Sequence, residues 1–280
     1  MSEPRVTVAM PCFNDGRFIE EAIDSVRERE PVAVIVVDDA SDDPTTTSVL
    51  ERLESSGVTV LRHDRNRGAA AARNTALAAA ETRFLFTLDS DDVAMEGALA
   101  KLADRLDAPD RPAAAFGDYL ELGGRAELRR MPPRLDAYRI AFINEYPTSA
   151  LFRTEVVRAL GGWSERDRLH GYEDWDLWMA LAERGHRGVH VGHDTVVWGY
   201  RQHEGRQLAE ARRHHAHVYD QLKALHPDLF RSLARHRRES SLGLVYQALF
   251  PVVYGRRPLF PEYSPLKRVL ARTPFVRRLR

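Results

Sequence analysis

The 280-residue sequence contains one cysteine, Cys12, and has no net charge. A single cysteine excludes an internal disulfide and a cysteine-based zinc site, and it fits a reducing compartment. Zero net charge gives no indication of a nucleic-acid partner, so we expect none. No apolar stretch reaches the ~20 residues that a membrane-spanning helix needs. No basic and apolar secretion signal precedes the first strand-like run, Val6–Met10. We therefore expect a cytoplasmic protein.

The charge is nevertheless unevenly distributed. Residues 254–280 contain eight Lys or Arg and one Glu, whereas residues 1–253 are acidic on balance. An apolar block, residues 240–254, lies directly before the basic segment. One explanation is a pair of terminal helices that pack on the rest of the chain or on a second copy in a homodimer. The other is peripheral contact with the inner face of an anionic membrane.

Strand and helix patterns alternate over the first ~120 residues, which predicts an α/β protein with a mostly parallel sheet between helices on both faces. Among these elements we predict a strand over 84–88, a helix over 95–106 and one strand over 113–119. From about residue 206 the pattern is helical and basic. We therefore predict an α/β catalytic domain over 1–205 and a helical, basic C-terminal extension over 206–280.

Polar residues follow four of the predicted strands. They are Asn14-Asp15, Asp38-Asp39, Asp89-Ser90-Asp91-Asp92 and Gly117-Asp118. In a parallel sheet these strand ends share the edge where ligands bind. Three carboxylates within four residues repel one another unless a cation, a helix N-terminus or solvent compensates the charge. Mg²⁺ prefers such oxygen ligands together with substrate phosphates, although a capped strand-to-helix turn would also explain the run.

Other motifs suggest a bound nucleotide. Asp38-Asp39 can accept hydrogen bonds from a base or a ribose, or simply close the strand in an Asx turn. Arg67 and Arg73 bracket a predicted helix N-terminus, where backbone N–H groups and the helix dipole favour phosphate. Alternatively, the two arginines lie on a solvated helix face.

A third group is Tyr172-Glu173-Asp174-Trp175-Asp176-Leu177-Trp178. Acidic residues in the first turn of a helix are ordinary capping. Large aromatics beside three carboxylates also suggest a sugar site, with the sugar stacked on an indole. A carboxylate held at a helix start can serve as general base toward an acceptor hydroxyl.

In combination these motifs resemble those of family 2 glycosyltransferases, which are inverting nucleotide-sugar transferases with the GT-A fold. Any one stretch is a weak signal, but their order is specific, and it covers about residues 5–205. The matching stretches are Val8–Asn14, Val36–Asp42, Asn66–Gly68, Ala72–Asn74, Leu88–Asp92, Gly161–Trp163 and Glu173–Asp176.

The resemblance implies roles for individual residues. Asp39 contacts the base, and Pro11 and Asn14 line the nucleotide loop. Asp89 and Asp91 occupy the Asp-x-Asp positions of a Mg²⁺ or Mn²⁺ site, with Asp89 nearer the ribose. The remaining implied roles are the catalytic base for Asp174 and a place near the metal or diphosphate for His203. With the residues above, we expect Arg67, Arg73, Glu173 and Trp175 to bind the nucleotide sugar.

The expected reaction is single transfer from a nucleotide-diphosphate sugar, by default a UDP-sugar, to an unidentified hydroxyl acceptor, in cell-surface glycan or glycoconjugate biosynthesis. The Gln/Arg-x-x-Arg-Trp motif of processive synthases is missing, which argues against polymerisation. Two alternatives remain. A non-catalytic sugar- or nucleotide-binding module is disfavoured by the retention of Asp89, Asp91 and Asp174, and a sugar-nucleotide pyrophosphorylase by the lack of a Gly-rich loop after the first strand.

Overall fold

The structure, a computed structural model, describes residues 3–123, 126–166, 169, 171–201 and 214–256. Its strands are β1 (Val6–Cys12), β2 (Val32–Asp38), β3 (Thr59–Arg62), β4 (Phe84–Thr87), β5 (Val93–Ala94), β6 (Ala114–Phe116), β7 (Asp118–Leu122), β8 (Glu127–Arg129), β9 (Leu151–Arg153), β10 (Gly188–His190) and β11 (Val196–Arg201). Its helices are α1 (Ile19–Asp24), α2 (Pro44–Ser55), α3 (Ala69–Ala79), α4 (Ala98–Asp107), α5 (Ala137–Ile140), α6 (Thr154–Leu160), α7 (Glu173–Glu183), α8 (His215–Leu225), α9 (Pro227–Arg231), α10 (Leu233–Glu239) and α11 (Leu244–Val253).

Seven strands form the main sheet, in the order β10-β6-β9-β4-β1-β2-β3. β1 pairs in parallel with β2 and β4, and β2 pairs in parallel with β3. β9 runs antiparallel to both of its neighbours, β4 and β6. The sheet is therefore mostly parallel, as predicted, and the ends of β1, β2 and β4 meet at one edge.

Side chains alternate between the two faces of this sheet along each strand. Both faces are buried. On β2, Val36 belongs to one hydrophobic cluster while Ile35 and Val37 belong to the other. Helices α1, α2 and α4 supply the first cluster, and α3, α5, α6 and α7 supply the second. This double coverage explains the continuous β-branched run of β2.

A second sheet of four strands, in the order β5-β11-β7-β8, corrects two of the predicted elements. Residues 93–94 pair with Trp198 and Gly199 as strand β5, and the helix begins only at Ala98, after Gly97 at φ +71°. The predicted strand 113–119 is two strands, because the chain leaves the main sheet at Gly117. A Cβ at Gly117 would lie 2.5 Å from Val197 Cγ2, so the close approach of β11 requires glycine.

Helices α8 to α11 form the helical C-terminal part. Val218, Tyr219, Leu222 and Phe250 join the same hydrophobic cluster as α7. The described helices of the extension thus pack on the α/β unit, and a division near residue 205 stays a prediction. No helix among the described residues is both long and apolar enough to span a membrane.

Candidate active site

Hydrogen bonds tie together the loops that follow β1, β2 and β4. Asn14, at φ +59°, accepts the N–H groups of Asp42 and Asp43 at 3.0 Å each and donates to the Asp42 carboxylate at 2.7 Å. Ser90 donates to Asp15 at 2.6 Å. Three of the four predicted polar strand ends therefore lie side by side. The Asn14 amide itself is occupied in shaping this edge, next to Pro11 near the end of β1.

Asp39 connects β2 to the start of α3. Its buried carboxylate accepts the backbone N–H groups of Arg67 at 2.9 Å and Gly68 at 2.7 Å, and it hydrogen-bonds His63 Nδ1 at 2.6 Å. A carboxylate offers about four lone-pair sites. These contacts use two on Oδ1 and one on Oδ2, so one acceptor position on Oδ2 has no partner among these contacts. The Arg67 side chain, by contrast, pairs with Glu165 at 3.0 Å near the surface.

Arg73, one turn into α3, joins two of the predicted acidic groups. Its Nη2 donates to Asp89 at 2.7 Å, and its Nη1 lies 3.7 Å from Asp174. The side chain is only 6% exposed. Burial disfavours the cation, but Asp174 and Asp89 outweigh burial and raise the pKa of Arg73. The carboxylates that follow β4 and the start of α7 thus share one permanently charged guanidinium.

The acidic group after β4 consists of Asp89, Asp91 and Asp92, whose carboxylate oxygens lie within 4.8 Å of one another. Strand β11 fixes this loop. The backbone N–H of Arg201 donates to Asp92 at 2.9 Å, and Arg201 Nε donates to the carbonyl of Asp91 at 3.0 Å. Three hard oxygen donors in this space suit Mg²⁺ or Mn²⁺. His203, predicted to lie near the metal, falls outside the described residues.

Asp174 is held from two sides at the start of α7. Thr148 Oγ1 donates to its Oδ2 at 2.7 Å, and Trp163 Nε1 donates to its Oδ1 at 3.1 Å. The Asp174 side chain is 20% exposed, so it stays accessible from solvent. These two positioning contacts were not predicted. Trp163 belongs to one of the stretches that resemble family 2 glycosyltransferases, Gly161–Trp163. Nothing in the local sequence around Thr148 indicates its contact with Asp174.

Asn74 holds the segment that carries Trp163. Its Nδ2 donates to the carbonyl of Trp163 at 2.8 Å, and its Oδ1 accepts the Trp163 N–H at 2.8 Å. The chain fits against Asn74 only because residue 162 is glycine, at φ +77°, where a Cβ would lie 2.2 Å from Asn74 Oδ1. The Ala72-Arg73-Asn74 motif therefore positions Asp174 both directly, through Arg73, and indirectly, through Trp163.

The surroundings of Trp175 do not support the expected stacking of a sugar on its indole ring. The residue is 3% exposed, its Nε1 donates to the carbonyl of Ile140 at 2.7 Å, and it stacks against Tyr172 and His215. A sugar would have to displace these contacts to reach the ring. Glu173 lies beside Asp174, where burial raises the pKa of its carboxyl.

Asp118, at the fourth polar strand end, belongs to a different cluster with His190 and His193. The N–H of Gly192 donates to His190 Nδ1 at 2.9 Å, and burial lowers the pKa of His190. A neutral His190 therefore carries its proton on Nε2 and donates it to Asp118 at 2.9 Å. That nitrogen then has no lone pair left for a cation, whereas the group after β4 offers carboxylate oxygens only.

The chain is similar to known proteins in sequence and in fold. The sequence profile of glycosyl transferase family 2 matches residues 7–161. The chain is 35% identical over 162 residues to the succinoglycan biosynthesis protein ExoO of Rhizobium meliloti, covering 54% of this chain and 44% of ExoO. It is 39% identical over 95 residues to WfgD of Escherichia coli, a UDP-Glc:alpha-D-GlcNAc-diphosphoundecaprenol beta-1,3-glucosyltransferase, covering 33% of this chain and 37% of WfgD. The chain thus spans less than half the length of these curated relatives.

Among solved structures, TarS of S. aureus in complex with UDP-GlcNAc superposes with a TM-score of 0.64 and 20% identity. The superposition covers 88% of this chain and 70% of the TarS chain. At this identity the likeness establishes the fold, which is the GT-A fold. The profile ends before Asp174, so the role of that residue rests on its contacts. With more than half of its residues matched, the chain belongs to glycosyl transferase family 2.

Proposed function

We propose that this protein transfers one sugar, with inversion, from a nucleotide-diphosphate donor to a hydroxyl acceptor. One observation carries the proposal: Arg73 contacts both Asp89, in the carboxylate group after β4, and Asp174, at the start of α7. This contact supports a diphosphate site next to a base for an acceptor, which are the two parts that such a transfer needs.

Asp174 is the general base in this proposal. The acceptor oxygen forms a bond to the anomeric carbon while the bond from that carbon to the diphosphate oxygen breaks, and the acceptor proton passes to an Asp174 oxygen. Thr148 and Trp163 hold the carboxylate in one orientation. Such positioning matters because a general base acts only within hydrogen-bond reach of its proton.

Asp89, Asp91 and Asp92 are the residues that would hold Mg²⁺ or Mn²⁺, with Asp91 as the main ligand and His203 as a further candidate. When bound, such a cation screens the diphosphate and stabilises it as a leaving group. Arg73 adds a fixed positive charge on the same side. Because Asp89 already gives one oxygen to Arg73, it is better suited to contact the ribose than to act as the principal metal ligand.

The donor base is proposed to lie over the loop edge formed by Pro11, Asn14 and Asp39. The remaining acceptor position on Asp39 Oδ2 suits the imide N–H of uracil, so a UDP-sugar is the default donor. Backbone N–H groups at the start of α3, near Arg67, favour the phosphates. Glu173 is a candidate for a sugar hydroxyl, and Trp175 supports this site from the core.

The acceptor is proposed to be a hydroxyl of a lipid-linked carbohydrate in cell-surface glycan synthesis. The support is similarity to ExoO, a protein of succinoglycan biosynthesis, and to WfgD, whose name specifies a diphosphoundecaprenol acceptor.

A panel of UDP-, GDP- and dTDP-sugars, each with Mn²⁺ and with EDTA, tests the donor site by thermal unfolding. At a hundredfold excess over Kd, the expected stabilisation is about 2.7 kcal/mol, or roughly 5–10 °C in Tm. We expect it for one nucleotide class and only with Mn²⁺. Release of nucleoside diphosphate from that donor then tests transfer. Stabilisation without any release, even with lipid-linked acceptors, would indicate a binding module, and no stabilisation by any donor would refute the proposal.

A further inference from the structure

Helix α11 exposes an apolar face. Six large apolar side chains are exposed in the described part of the chain, and four of them lie on this helix: Leu244 at 80%, Val245 at 69%, Leu249 at 53% and Val252 at 56%. On the opposite side, Phe250 is buried against Tyr138 and Phe142. The helix is thus anchored on one face and uncovered on the other.

The chain around α11 is strongly basic. The helix itself carries no charged residue, but Arg237 and Arg238 lie exposed shortly before it, next to Glu239. Arg256 lies exposed just after it and pairs with Asp220 at 2.8 Å. The sequence then continues, over residues 257–280, with seven more Lys or Arg and one Glu. An apolar helix face flanked by basic residues is the pattern of segments that bind the surface of anionic membranes.

The end of α11 is connected to the candidate active site. His215 Nε2 donates to the carbonyl of Gly255 at 2.7 Å, which leaves His215 Nδ1 to accept the Tyr172 hydroxyl at 2.9 Å. Tyr172 is the residue before α7, and Asp174 lies in the first turn of that helix. The apolar face and the proposed base therefore belong to neighbouring, hydrogen-bonded parts of the molecule.

We propose that α11 and the basic segment after it bind the surface of an anionic lipid bilayer, with Leu244, Val245, Leu249 and Val252 among the headgroups. A ten-residue helix is roughly 15 Å long, too short to cross a bilayer, so it would lie in the interface. A stable dimer uses about 20–30 residues on each side, many more than this face offers. The proposal does not depend on sugar transfer, although it would bring Asp174 close to a lipid-linked acceptor.

Sedimentation of the full-length protein with vesicles tests the proposal. We expect binding to phosphatidylcholine vesicles that contain phosphatidylglycerol, and binding at least about tenfold weaker to phosphatidylcholine alone. The double variant L244Q/L249Q should bind the anionic vesicles at least about tenfold more weakly, because it removes apolar contacts with the interface. The matched control is L128Q, which changes an exposed leucine on β8 (45% exposed) and should bind like the unmodified protein.

A second variant separates charge from apolar contact. R277Q/R278Q/R280Q should weaken binding to anionic vesicles, again at least about tenfold, and high salt should have a similar effect. Thermal unfolding of each variant checks that the fold is retained. Release of nucleoside diphosphate with a water-soluble acceptor should not change in L244Q/L249Q. Vesicle binding is measured without a donor, so failure of the transfer proposal would leave this result intact.

Three outcomes would overturn the proposal. The first is equal binding of L244Q/L249Q and the unmodified protein to anionic vesicles, or no binding by either. The second is a homodimer in sedimentation velocity that L244Q/L249Q dissociates, since a second copy would then cover the face. The third is protection of the Leu244 and Leu249 side chains from hydroxyl-radical labelling in lipid-free protein at concentrations where it is monomeric, since the chain's own C-terminal segment would then cover them.

Discussion

Replacement of Asp174 by Asn tests the central assignment. Loss of a general base should reduce kcat by about 10²–10⁴, which corresponds to roughly 3–5 kcal/mol in the activation barrier. The fold should tolerate the change. Asn can still accept from Trp163 Nε1, and the Thr148 hydroxyl can rotate to accept from the new amide. Arg73 loses a partner at 3.7 Å but keeps Asp89 at 2.7 Å. We therefore expect unfolding to become easier by only about 1–2 kcal/mol.

The assay measures nucleotide release with acceptor, donor affinity by calorimetry and stability in urea. The matched control is Asp176→Asn, two residues further along α7, where the carboxylate contacts His226 at 2.9 Å instead of the candidate site. D176N should lose stability and keep turnover, whereas D174N should lose turnover. Near-normal kcat in D174N would eliminate Asp174 as the base. A parallel loss of donor affinity and stability in D174N would show that its role is structural.

Three further changes should have separate effects. Asp91→Ala should weaken Mn²⁺-dependent binding of nucleoside diphosphate at least about 100-fold, and unchanged binding in calorimetry would count against a metal at this position. Gly162→Ala should destabilise the fold by about 1–3 kcal/mol more than Gly161→Ala in urea unfolding, because both have positive φ but only a Cβ at 162 would strike Asn74, while nothing lies within 4 Å at 161. His226→Gln should remove a pH dependence of the free energy of unfolding. Burial lowers the pKa of His226, but its two carboxylate partners outweigh burial and raise it. The stability that His226 contributes is therefore complete below its ordinary pKa of about 6.5 and is lost as pH rises through the folded-state pKa. Equal pH profiles for the variant and the unmodified protein in urea unfolding would show that His226 and its carboxylate partners contribute nothing to this pH dependence.

The local signals predicted the elements that their own residues determine. The β-branched run of β2 is a strand and the alanine-rich stretch of α3 is a helix, as their residue types favour. Gly185, at φ +73°, follows the end of α7, where glycine commonly ends a helix. The sheet order was not predictable in the same way. β9 inserts antiparallel between β4 and β6 because of partners far apart in the sequence, and its own three residues do not indicate which strands they pair with.

The candidate site shows the same division. Clustered carboxylates identified the edge of the sheet, since like charges need a shared compensating partner wherever they occur. Sequence could not distinguish Asp118 from this group, because its partners His190 and His193 lie more than 70 residues away. Trp175 looked like a sugar platform and is a core residue, since an aromatic next to carboxylates on a helix can point to either side. Thr148 was missed because a single threonine in a loop carries no periodic signal.

Asp39 has a consequence for how members of this family change donors. The same carboxylate that is proposed to recognise the base also fastens the turn at Arg67 and Gly68, from which α3 starts. Any replacement at position 39 that suited another nucleobase would therefore release two backbone amides and shift the helix that carries Arg73. Evolution of a new donor preference in this scaffold should proceed through neighbouring positions, with residue 39 kept as a constraint.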